Sequence, residues 1–365
     1  MENNKHKKIL VAVLFGGKSA EHEVSVQSAK NVVAALDTHK YDVTLIGIDK
    51  NGTWLPYNIS QLPLVKTILL EDQENIESSI IPFLNQGRGG FKDPDGSKKI
   101  DVVFPVLHGP MGEDGTIQGL LKLANVPFVG AGVLGSAVGM DKDVTKRLLR
   151  DAGLPIANFI VFEKHKRREI SFEKVKEGIG LPFFIKPANL GSSVGITKIH
   201  SKKKFNAAID LAFTYDNKII IEEYIHGKEI ECAVLGNESP TASICGEVTP
   251  NHEFYSYEAK YLDDNGAVLS IPALIGNLIT KKIQKLAIKT FEVLCCNGMA
   301  RVDFFVTKNN KIYINEINTI PGFTAISMYP KLWEASGIPY AKLVDTLITL
   351  AIKRFEKEQK LLTSK

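Results

Sequence analysis

The stretch RVDFFVTKNNKIYINEIN, residues 301–318, contains two short apolar runs separated by polar turn residues at 309–311. Two such runs around a short turn predict a β-hairpin. In a suitable register the hairpin would bring the carboxylates of Asp303 and Glu316 and the amide of Asn318 to one end of one face. Oxygen ligands of this kind suit Mg²⁺, which keeps coordination positions for phosphate oxygens. Acidic residues at a solvated strand end are the simpler alternative, so the rest of the chain has to decide.

The composition is typical of a globular protein with two or three domains. The chain has 365 residues, of which 44% are hydrophobic and 24% are charged. Its net charge of +4 is small and its lysines are scattered, so nucleic acid binding has no electrostatic support. Four cysteines without a CxxC pair argue against zinc and favour a reducing compartment. Without a signal-peptide pattern or a membrane-length apolar run, we expect a soluble cytoplasmic protein with no membrane partner.

The N-terminal region predicts a parallel sheet. Its patterns are, in order, strands at 9–15, 41–48 and 101–107, and a helix at 24–36 between the first two. A strand, a helix and a strand in this order predict a βαβ unit. The stretch 51–99 is irregular by comparison. The strand at 101–107 ends in His108, and ligands of open α/β sheets bind at that end of the strands.

The remainder of the chain predicts further α/β structure. Its patterns are strands at 159–162, 181–186, 218–222 and 231–235 and helices at 142–152, 280–294 and 340–355. The segment 248–270 is long, aromatic and charged, and it shows no clear period. A loop of this length in a compact domain is usually functional, so we expect a lid that closes over a site.

Two glycine patterns look like nucleotide-binding fingerprints but fail on their context. Gly17-Lys18-Ser19 looks like the end of a P-loop, yet Ala12 stands where its first glycine should be. Residues 130–135 match the GxGxxG pattern, but the strand before them is short and contains Pro127. A GxGxxG match without a clear βαβ unit is weak, so we do not expect nicotinamide or flavin binding.

The loop 186–195 is a better phosphate-binding candidate. A strand ends in Lys186, and glycines and serines follow it. Exposed backbone amides and a lysine charge can bind phosphate oxygens, although a glycine-rich hairpin would have the same composition. The acids at 222, 223 and 229 could accept hydrogen bonds from a nucleotide, and a solvated strand edge is the commoner reason for such acids. Lys142 begins a helix, where most lysines are merely solvated.

Arg301 adds a second kind of chemistry to the hairpin. It lies two residues before Asp303, so on a strand both side chains share one face. A guanidinium beside a cluster of metal ligands suits an anionic transition state. A structural ion pair between Arg301 and Asp303 is the alternative.

Taken together, these segments resemble the D-alanine–D-alanine ligase family of the ATP-grasp superfamily. They follow the family order and cover nearly the whole chain, from residue 9 to about residue 350. Each segment alone is modest, but the ordered set is specific. The matching segments are 16–25 (GGKSAEHEVS), 107–109 (LHG) with 112–115 (GEDG), 140–142 (MDK), 186–195 (KPANLGSSVG), 258–261 (EAKY), 301–303 (RVD), and 315–319 (NEINT) with 321–324 (PGFT).

The resemblance implies a three-domain α/β fold of the ATP-grasp type, with ATP between the central and C-terminal domains. We expect an N-terminal, Rossmann-like, parallel-sheet domain that binds substrate over residues 1–130. A central ATP-grasp subdomain would follow over 131–222. The C-terminal ATP-grasp subdomain would span 223–365 and carry the lid at about 248–270. The resemblance also suggests a homodimer.

The resemblance assigns the nucleotide and metal positions residue by residue. Lys142 and Lys186 would contact the ATP phosphates, and the loop that covers the phosphates would contain Ser192 and Ser193. Glu222 and Glu229 would contact adenine and ribose. Phe254 and Phe305 would line the pocket for the base. Two Mg²⁺ ions, with Mn²⁺ as a possible substitute, would be held by Asp303, Glu316 and Asn318.

The resemblance also assigns the positions around the amino acid substrates. Glu21 would bind the ammonium group of the first D-alanine, His108 would lie near its carboxylate, Arg301 and the Gly322 amide would stabilise the oxyanion, Ser327 and Lys260 would hold the carboxylate of the second D-alanine, and Tyr261 would hydrogen-bond with Ser192 and through it with Glu21.

The implied activity is ATP-dependent joining of two D-alanine molecules through a D-alanyl phosphate, for peptidoglycan precursors. No residue stands out in the sequence as the base that deprotonates the incoming amine. A ligase that joins D-alanine to D-serine or D-lactate is the nearest alternative, although Lys260-Tyr261 favours an amine acceptor. Glu21, His108 and Tyr261 argue against an ATP-grasp enzyme with another substrate. The intact metal, arginine and lysine set argues against an inactive scaffold protein.

Overall fold

Three separate β-sheets organise the described part of the chain. The computed structural model describes residues 7–66, 98–192, 194–250 and 267–362. Its strands are β1 (Ile9–Gly16), β2 (Tyr41–Ile48), β3 (Trp54–Tyr57), β4 (Val102–Val106), β5 (Phe159–Glu163), β6 (Phe183–Pro187), β7 (Thr197–Ile199), β8 (Lys218–Glu223), β9 (Gly227–Gly236), β10 (Thr241–Pro250), β11 (Ala267–Ser270), β12 (Gly298–Thr307) and β13 (Ile312–Asn318). Its α-helices are α1 (His22–Ala35), α2 (Thr116–Leu123), α3 (Val133–Met140), α4 (Lys142–Asp151), α5 (Phe172–Ile179), α6 (Phe205–Tyr215), α7 (Asn277–Val293), α8 (Met328–Ala335) and α9 (Tyr340–Glu358).

The first sheet has the strand order β3-β2-β1-β4. β1 pairs in parallel with β2 and β4, and α1 connects β1 to β2, so the predicted βαβ unit is confirmed. The stretch 51–99 is less irregular than the sequence suggested. β3 forms there because Leu55 and Tyr57 pack on the core of the sheet, and a 3₁₀ turn follows at Leu62–Leu64. Residues 67–97 lie outside the described residues.

The second sheet has the order β5-β8-β6-β7, with antiparallel pairing throughout. α5 and α6 cover it with an aromatic core in which the ring centroids of Phe172 and Phe205 lie 5.3 Å apart. β8 is an inner strand between β5 and β6. The acid Glu222 near its end is therefore not at a solvated sheet edge, which overturns that alternative.

The third sheet has the order β11-β10-β9-β12-β13 and is also antiparallel. Its last two strands are the hairpin predicted from residues 301–318. Asp303 stands opposite Glu316, and Arg301 stands opposite Asn318. The pairing shifts between Asp303 and Phe304, which is a β-bulge. Bulges of this kind re-aim side chains beside active sites.

One continuous core joins the first sheet to the third. It contains residues of β1 and β4, residues of β9 such as Ala233, and the buried faces of α8 and α9. Arg354 of α9 strengthens the connection, because its Nη2 donates to the carbonyl oxygen of Phe128 at 2.8 Å. The two sheets are thus held in one relative position. Among the described residues no single helix is long and apolar enough to cross a bilayer, and the bent pair α8 and α9 meets those criteria only jointly.

The GxGxxG match at 130–135 has a packing explanation. A Cβ on Gly135 would lie 2.7 Å from the carbonyl oxygen of Cys295, which is closer than side-chain carbons approach backbone. A Cβ on Gly132 would meet nothing within 4 Å. Gly135 is therefore required where α3 meets the turn after α7.

The three sheets occupy residues 9–106, 159–223 and 227–318. We keep the domain limits 1–130, 131–222 and 223–365 as a proposal, since a sheet marks the centre of a domain and not its boundary. Strands occupy both ends of the segment 248–270, where the sequence predicts a lid. Its first three residues end β10, its last four form β11, and residues 251–266 lie outside the described residues.

Candidate active site

Two cavities, each of about 420 Å³, meet between the sheets. The first cavity is lined by residues that include Glu21, His108, Glu113, Glu231, Arg301, Asn318, Gly322 and Ser327. The second cavity is lined by residues that include Phe184, Lys186, Tyr224, Glu229 and Phe305. Six residues line both cavities and are called the shared wall: Lys142, Gly191, Ser192, Val248, Asn315 and Glu316. The two cavities therefore adjoin along these residues.

The hairpin brings the predicted metal ligands together. Nδ2 of Asn318 donates to Oδ2 of Asp303 at 3.0 Å, and Glu316 stands opposite Asp303 in the register. Two carboxylates and an amide suit a hard divalent cation that takes its other ligands from phosphate and water. Among the described residues, no group of three or more His, Cys, Asp or Glu side chains is arranged as a metal site. The donor set thus fits Mg²⁺ only together with a phosphate ligand.

Arg301 also forms the structural ion pair that the sequence left open. Its Nε and Nη2 donate to Oδ1 and Oδ2 of Asp303 at 2.8 and 2.7 Å. Nε lies 2.9 Å from Oε2 of Glu231, a residue that sequence reasoning missed. The signal for Glu231 would have been its position two residues after Glu229, which places both on one face of β9.

Lys142 is the first residue of α4 and belongs to the shared wall. The side chain of Asp141 caps α4 by accepting hydrogen bonds from the amides of Asp143 and Val144. Nζ of Lys142 donates to the carbonyl oxygen of Leu190 at 2.7 Å, so it lies against the phosphate-loop candidate. Burial lowers the pKa of Lys142, although the charge of Glu316 opposes this. A lysine held in this way is not a solvated surface residue.

Lys186 is paired with Glu222 behind the second cavity. Its Nζ lies 2.5 Å from Oε2 of Glu222, and Oε1 of the same carboxylate contacts Lys146. Burial opposes the ionised form of Glu222, but the two lysines outweigh it and lower the pKa of Glu222 to about 2. The proposed adenine contact of Glu222 stays a prediction.

Lys146 is a second residue that sequence reasoning missed. Its exposed fraction is only 1%, and Glu222 is its ion-pair partner. A buried lysine is rare unless it is paired. The signal was its spacing of four residues from Lys142, which places both lysines on one face of α4.

His108 and Glu113 hold the backbone of Ile320 at the first cavity, through its carbonyl oxygen and its amide respectively. Nδ1 of His108 lies 3.0 Å from the carbonyl oxygen of Ile320, and the amide of Ile320 donates to Oε1 of Glu113 at 3.2 Å. Nε2 of His108 is buried and has no hydrogen-bond partner among the described residues. Burial lowers the pKa of His108, against the charge of Glu21. The imidazole thus presents an unsatisfied polar atom to a ligand.

Glu113 has an unusual ionisation. Burial, then the charge of Glu21, raises its pKa to about 8, although the amides of Gly109 and Ile320 and the charge of Arg301 oppose the shift. It belongs to the matching segment 112–115, but no role of its own was predicted for it.

The remaining predicted residues fall into three groups. Glu21 lies near the loop at Gly191, where an added Cβ would be 3.8 Å from Oε2 of Glu21, and Ser192 lines the same cavity. Gly322 and Ser327 are adjacent, because a Cβ on Gly322 would lie 2.7 Å from Oγ of Ser327. Residues that lie outside the described part of the chain are Ser193, Phe254, Lys260 and Tyr261.

The second cavity is lined by Phe305, which is predicted to contact the base, and by two aromatic residues that sequence reasoning missed. Phe305 stands opposite Glu229 in the β9–β12 register, and both line the second cavity. Phe184 and Tyr224 line the same cavity, with ring centroids 5.8 Å apart in an edge-to-face arrangement. Phe184 lies in β6 and Tyr224 directly follows β8, and their meeting depends on a sheet pairing that no local pattern reveals.

The family comparisons agree with this fold and site. A family model described as the D-ala D-ala ligase N-terminus matches residues 10–131, and one described as the D-ala D-ala ligase C-terminus matches residues 148–349. The chain is 51% identical to a D-alanine–D-alanine ligase of Oceanobacillus iheyensis, over 97% of this chain and 98% of that one. It is 50% identical to D-alanine–D-alanine ligase A of Escherichia coli, over 98% of this chain and 100% of that one.

Solved structures give the same result. The D-alanine–D-alanine ligase structure from Coxiella burnetii aligns with a TM-score of 0.85 and 42% identity, over 97% of this chain and 96% of that one. The VanG D-Ala:D-Ser ligase structure from Enterococcus faecalis aligns with a TM-score of 0.85 and 38% identity, over 94% of this chain and 100% of that one. The fold and site define a three-domain α/β enzyme of the ATP-grasp type. The chain belongs to the D-alanine–D-alanine ligase family.

Proposed function

We propose that this protein joins two D-alanine molecules into D-alanyl-D-alanine for peptidoglycan synthesis, with conversion of ATP to ADP and phosphate. The observation that carries the proposal is the shared wall between the two cavities, together with the relatives of about half identity named above. A carboxylate does not react with an amine at neutral pH, because oxide is a poor leaving group. An enzyme that first phosphorylates the carboxylate needs a nucleotide site and an amino acid site in contact.

The first D-alanine binds in the first cavity. Glu21, which is buried, supplies a negative charge for its ammonium group. His108 lines the same cavity, and because its Nδ1 donates to the carbonyl oxygen of Ile320, Nε2 of the neutral ring can accept a hydrogen bond from the substrate's ammonium group. A hydrogen bond from Nε2 to the substrate's carboxylate requires the protonated ring. Glu113 binds the amide and His108 binds the carbonyl oxygen of Ile320, and these contacts help to position the Gly322 amide two residues further on.

ATP binds in the second cavity, with its phosphates at the shared wall. Lys142 and Lys186 contribute positive charge to the phosphates, and the backbone amides near Gly191 cover them. Asp303, Glu316 and Asn318 would hold Mg²⁺, which would neutralise phosphate charge during transfer. The carboxylate of the first D-alanine attacks the γ-phosphorus, ADP leaves, and a D-alanyl phosphate forms.

The second D-alanine then attacks the acyl phosphate through its amine. The tetrahedral intermediate carries an oxyanion, and Arg301 and the Gly322 amide are placed to stabilise it. Phosphate leaves as the peptide bond forms. Water has to be excluded, because hydrolysis of the acyl phosphate would waste ATP. Ser327 and Lys260 would hold the carboxylate of the second substrate, and Tyr261 on the lid would close the site.

D-Serine is the second candidate acceptor, because the VanG structure at 38% identity is that of a D-Ala:D-Ser ligase. Lys260-Tyr261 supports an amine acceptor, which D-alanine and D-serine share and D-lactate does not. The homodimer that the family resemblance implies and a cytoplasmic location are both part of the proposal. Mn²⁺ can replace Mg²⁺ at a site of carboxylate and amide oxygens.

The test is a substrate panel with Mg²⁺-ATP. Phosphate release is measured with D-alanine, with L-alanine, and with D-alanine plus D-serine or D-lactate, and products are identified by mass. Release with D-alanine alone, accompanied by the dipeptide, supports the proposal. Mixed dipeptide or depsipeptide as the main product assigns the alternative acceptor. No turnover with any of them contradicts the proposed substrates.

A further inference from the structure

Arg301 lies between two carboxylates from neighbouring strands. Its contacts with Asp303 on β12 are 2.8 and 2.7 Å long, and its Nε lies 2.9 Å from Oε2 of Glu231 on β9. Glu231 and Asp303 stand directly opposite each other in the antiparallel register. Like charges in directly opposite positions of a sheet are destabilising. The guanidinium between them is therefore what makes this pairing favourable.

Only one of these carboxylates belongs to the proposed cation site. Oδ2 of Asp303 accepts hydrogen bonds from Nη2 of Arg301 and from Nδ2 of Asn318, at 2.7 and 3.0 Å. A carboxylate oxygen has two lone pairs, so these two donors occupy Oδ2. A cation at Oδ2 would compete with these two donors, and its positive charge would offset the attraction of Asp303 for Arg301. Arg301 then depends on its other anionic partner.

Burial makes the second partner important. The side chains of Arg301 and Glu231 are 19% and 12% exposed. A charge with so little solvent is costly when its counter-ion is withdrawn. Glu231 lies in none of the sequence segments that carry the family resemblance, and no role was assigned to it there.

We propose that Glu231 is a positioning residue that holds Arg301 at the first cavity while Asp303 binds a divalent cation. The inference rests on the proposed function, because it gives Arg301 its oxyanion role and Asp303 its cation role. Glu231 does not touch the reacting atoms. It holds the guanidinium by charge attraction over the 2.9 Å between Nε of Arg301 and Oε2 of Glu231, and this attraction lowers the cost of weakening the contact between Arg301 and Asp303.

The first test measures cation binding without turnover. Titration calorimetry with Mn²⁺, in the presence of ADP, is carried out on wild type, Glu231→Gln, Arg301→Gln and the double variant. Glutamine keeps the length of the side chain and removes its charge. We expect Glu231→Gln to weaken Mn²⁺ binding about fivefold, in the range of coupling between close charged groups. In the Arg301→Gln background the same change should have less than about a twofold effect.

An equal loss of Mn²⁺ affinity in both backgrounds would overturn the proposal, because Glu231 would then act on the cation directly. No loss in either background would overturn it as well. The double variant is informative without activity, so the result does not depend on which amino acids the enzyme joins. Failure of the proposed substrates would appear separately, as wild type that forms no D-alanyl-D-alanine.

The second test separates positioning from simple stability. We expect Glu231→Gln to lower kcat about tenfold and to leave KM for ATP within about twofold. Glu231→Asp, which keeps the charge on a shorter side chain, should recover part of kcat. The matched control is Glu238→Gln in the β9–β10 turn, where Glu238 pairs with Lys357 at 2.7 Å on the surface. A lower melting temperature with unchanged kcat in Glu231→Gln would show a merely structural role and reject the proposal.

Discussion

Nζ of Lys186 lies 2.5 Å from Oε2 of Glu222, and the carboxylate is 3% exposed. Lys186, which lines the second cavity, is therefore held in place by a buried anion. Burial opposes the charged form of Lys186, but Glu222 outweighs this and raises the pKa of the lysine. Lys186 keeps its positive charge where ATP phosphates are proposed to bind.

Glu222→Gln should destabilise the fold at neutral pH and much less in acid. It leaves Lys146 and Lys186 without a buried counter-ion, which costs about 3 kcal/mol in comparable buried pairs. The pKa of Glu222 is lowered to about 2 in the folded protein from an ordinary value of 4.5. Its contribution is therefore complete above pH 4.5 and is lost as pH falls toward 2. Urea unfolding of both proteins at pH 7 and pH 3 measures the difference.

The control for that measurement is Glu173→Gln, which removes an exposed carboxylate 3.4 Å from Lys202 in the same part of the chain. Exposed pairs of this kind contribute little to stability. An equal destabilisation by Glu222→Gln at both pH values would contradict the ion-pair explanation.

Arg301→Ala should lower turnover on the order of 10²- to 10³-fold and leave ATP affinity nearly intact. The guanidinium stabilises an anion that exists only during acyl transfer, so it is not needed for nucleotide binding. Steady-state kinetics and calorimetric ATP titration give the two quantities. Arg167→Ala, which breaks a surface contact of 2.7 Å with Asp210, serves as the control. Strong residual activity in Arg301→Ala would count against the oxyanion role.

Gly135→Ala should destabilise the protein by about 2 kcal/mol or more, as overpacking of a tight contact does. Its Cβ would lie 2.7 Å from the Cys295 carbonyl oxygen. Gly132→Ala is the matched control from the same GxGxxG match, since its Cβ would meet nothing within 4 Å. Thermal unfolding and ATP titration of both variants check the expectation. Loss of ATP affinity without loss of stability in Gly135→Ala would mean that these glycines bind phosphate after all.

Glu113→Gln should change how stability depends on pH. Burial raises the pKa of Glu113 to about 8, with Glu21 adding to the shift and Arg301 opposing it, so the folded state binds its proton more tightly than the unfolded chain. The stability that this provides is complete below pH 4.5 and is lost as pH rises to 8. The variant cannot titrate there. The wild type should therefore lose stability relative to Glu113→Gln between pH 5 and pH 8 in urea unfolding, and parallel profiles would contradict the shift.

The sequence predicted those features of the fold that depend on residues close together along the chain. The βαβ unit and the 301–318 hairpin follow from apolar period and turn residues, so Asp303, Glu316 and Asn318 could be placed together in advance. Lys146 and Glu231 could not be recognised in the same way. Hydropathy treats a buried lysine and a buried glutamate as surface residues. Their partners come from β8 and β12, and those contacts exist only after distant strands have paired.

The domain limits rest on the family resemblance alone, because no local pattern in the sequence marks a domain boundary. The roles of individual lid residues, such as Lys260 and Tyr261, rest on the resemblance as well. The contact between Phe184 and Tyr224 could not be predicted from local patterns either. Phe184 lies in β6 and Tyr224 follows β8, and only the β6–β8 pairing brings them to one cavity.

The wall that the two cavities share has a consequence for ligand design. Lys142, Gly191 and Glu316 face both spaces, so a short linker passing over them can connect a fragment in each. Once the first fragment is bound, the second binds at an effective concentration that reaches about the millimolar range for a short flexible linker. Two weak fragments joined across this wall can thus act as one tight inhibitor, and the wall itself sets the length of the linker.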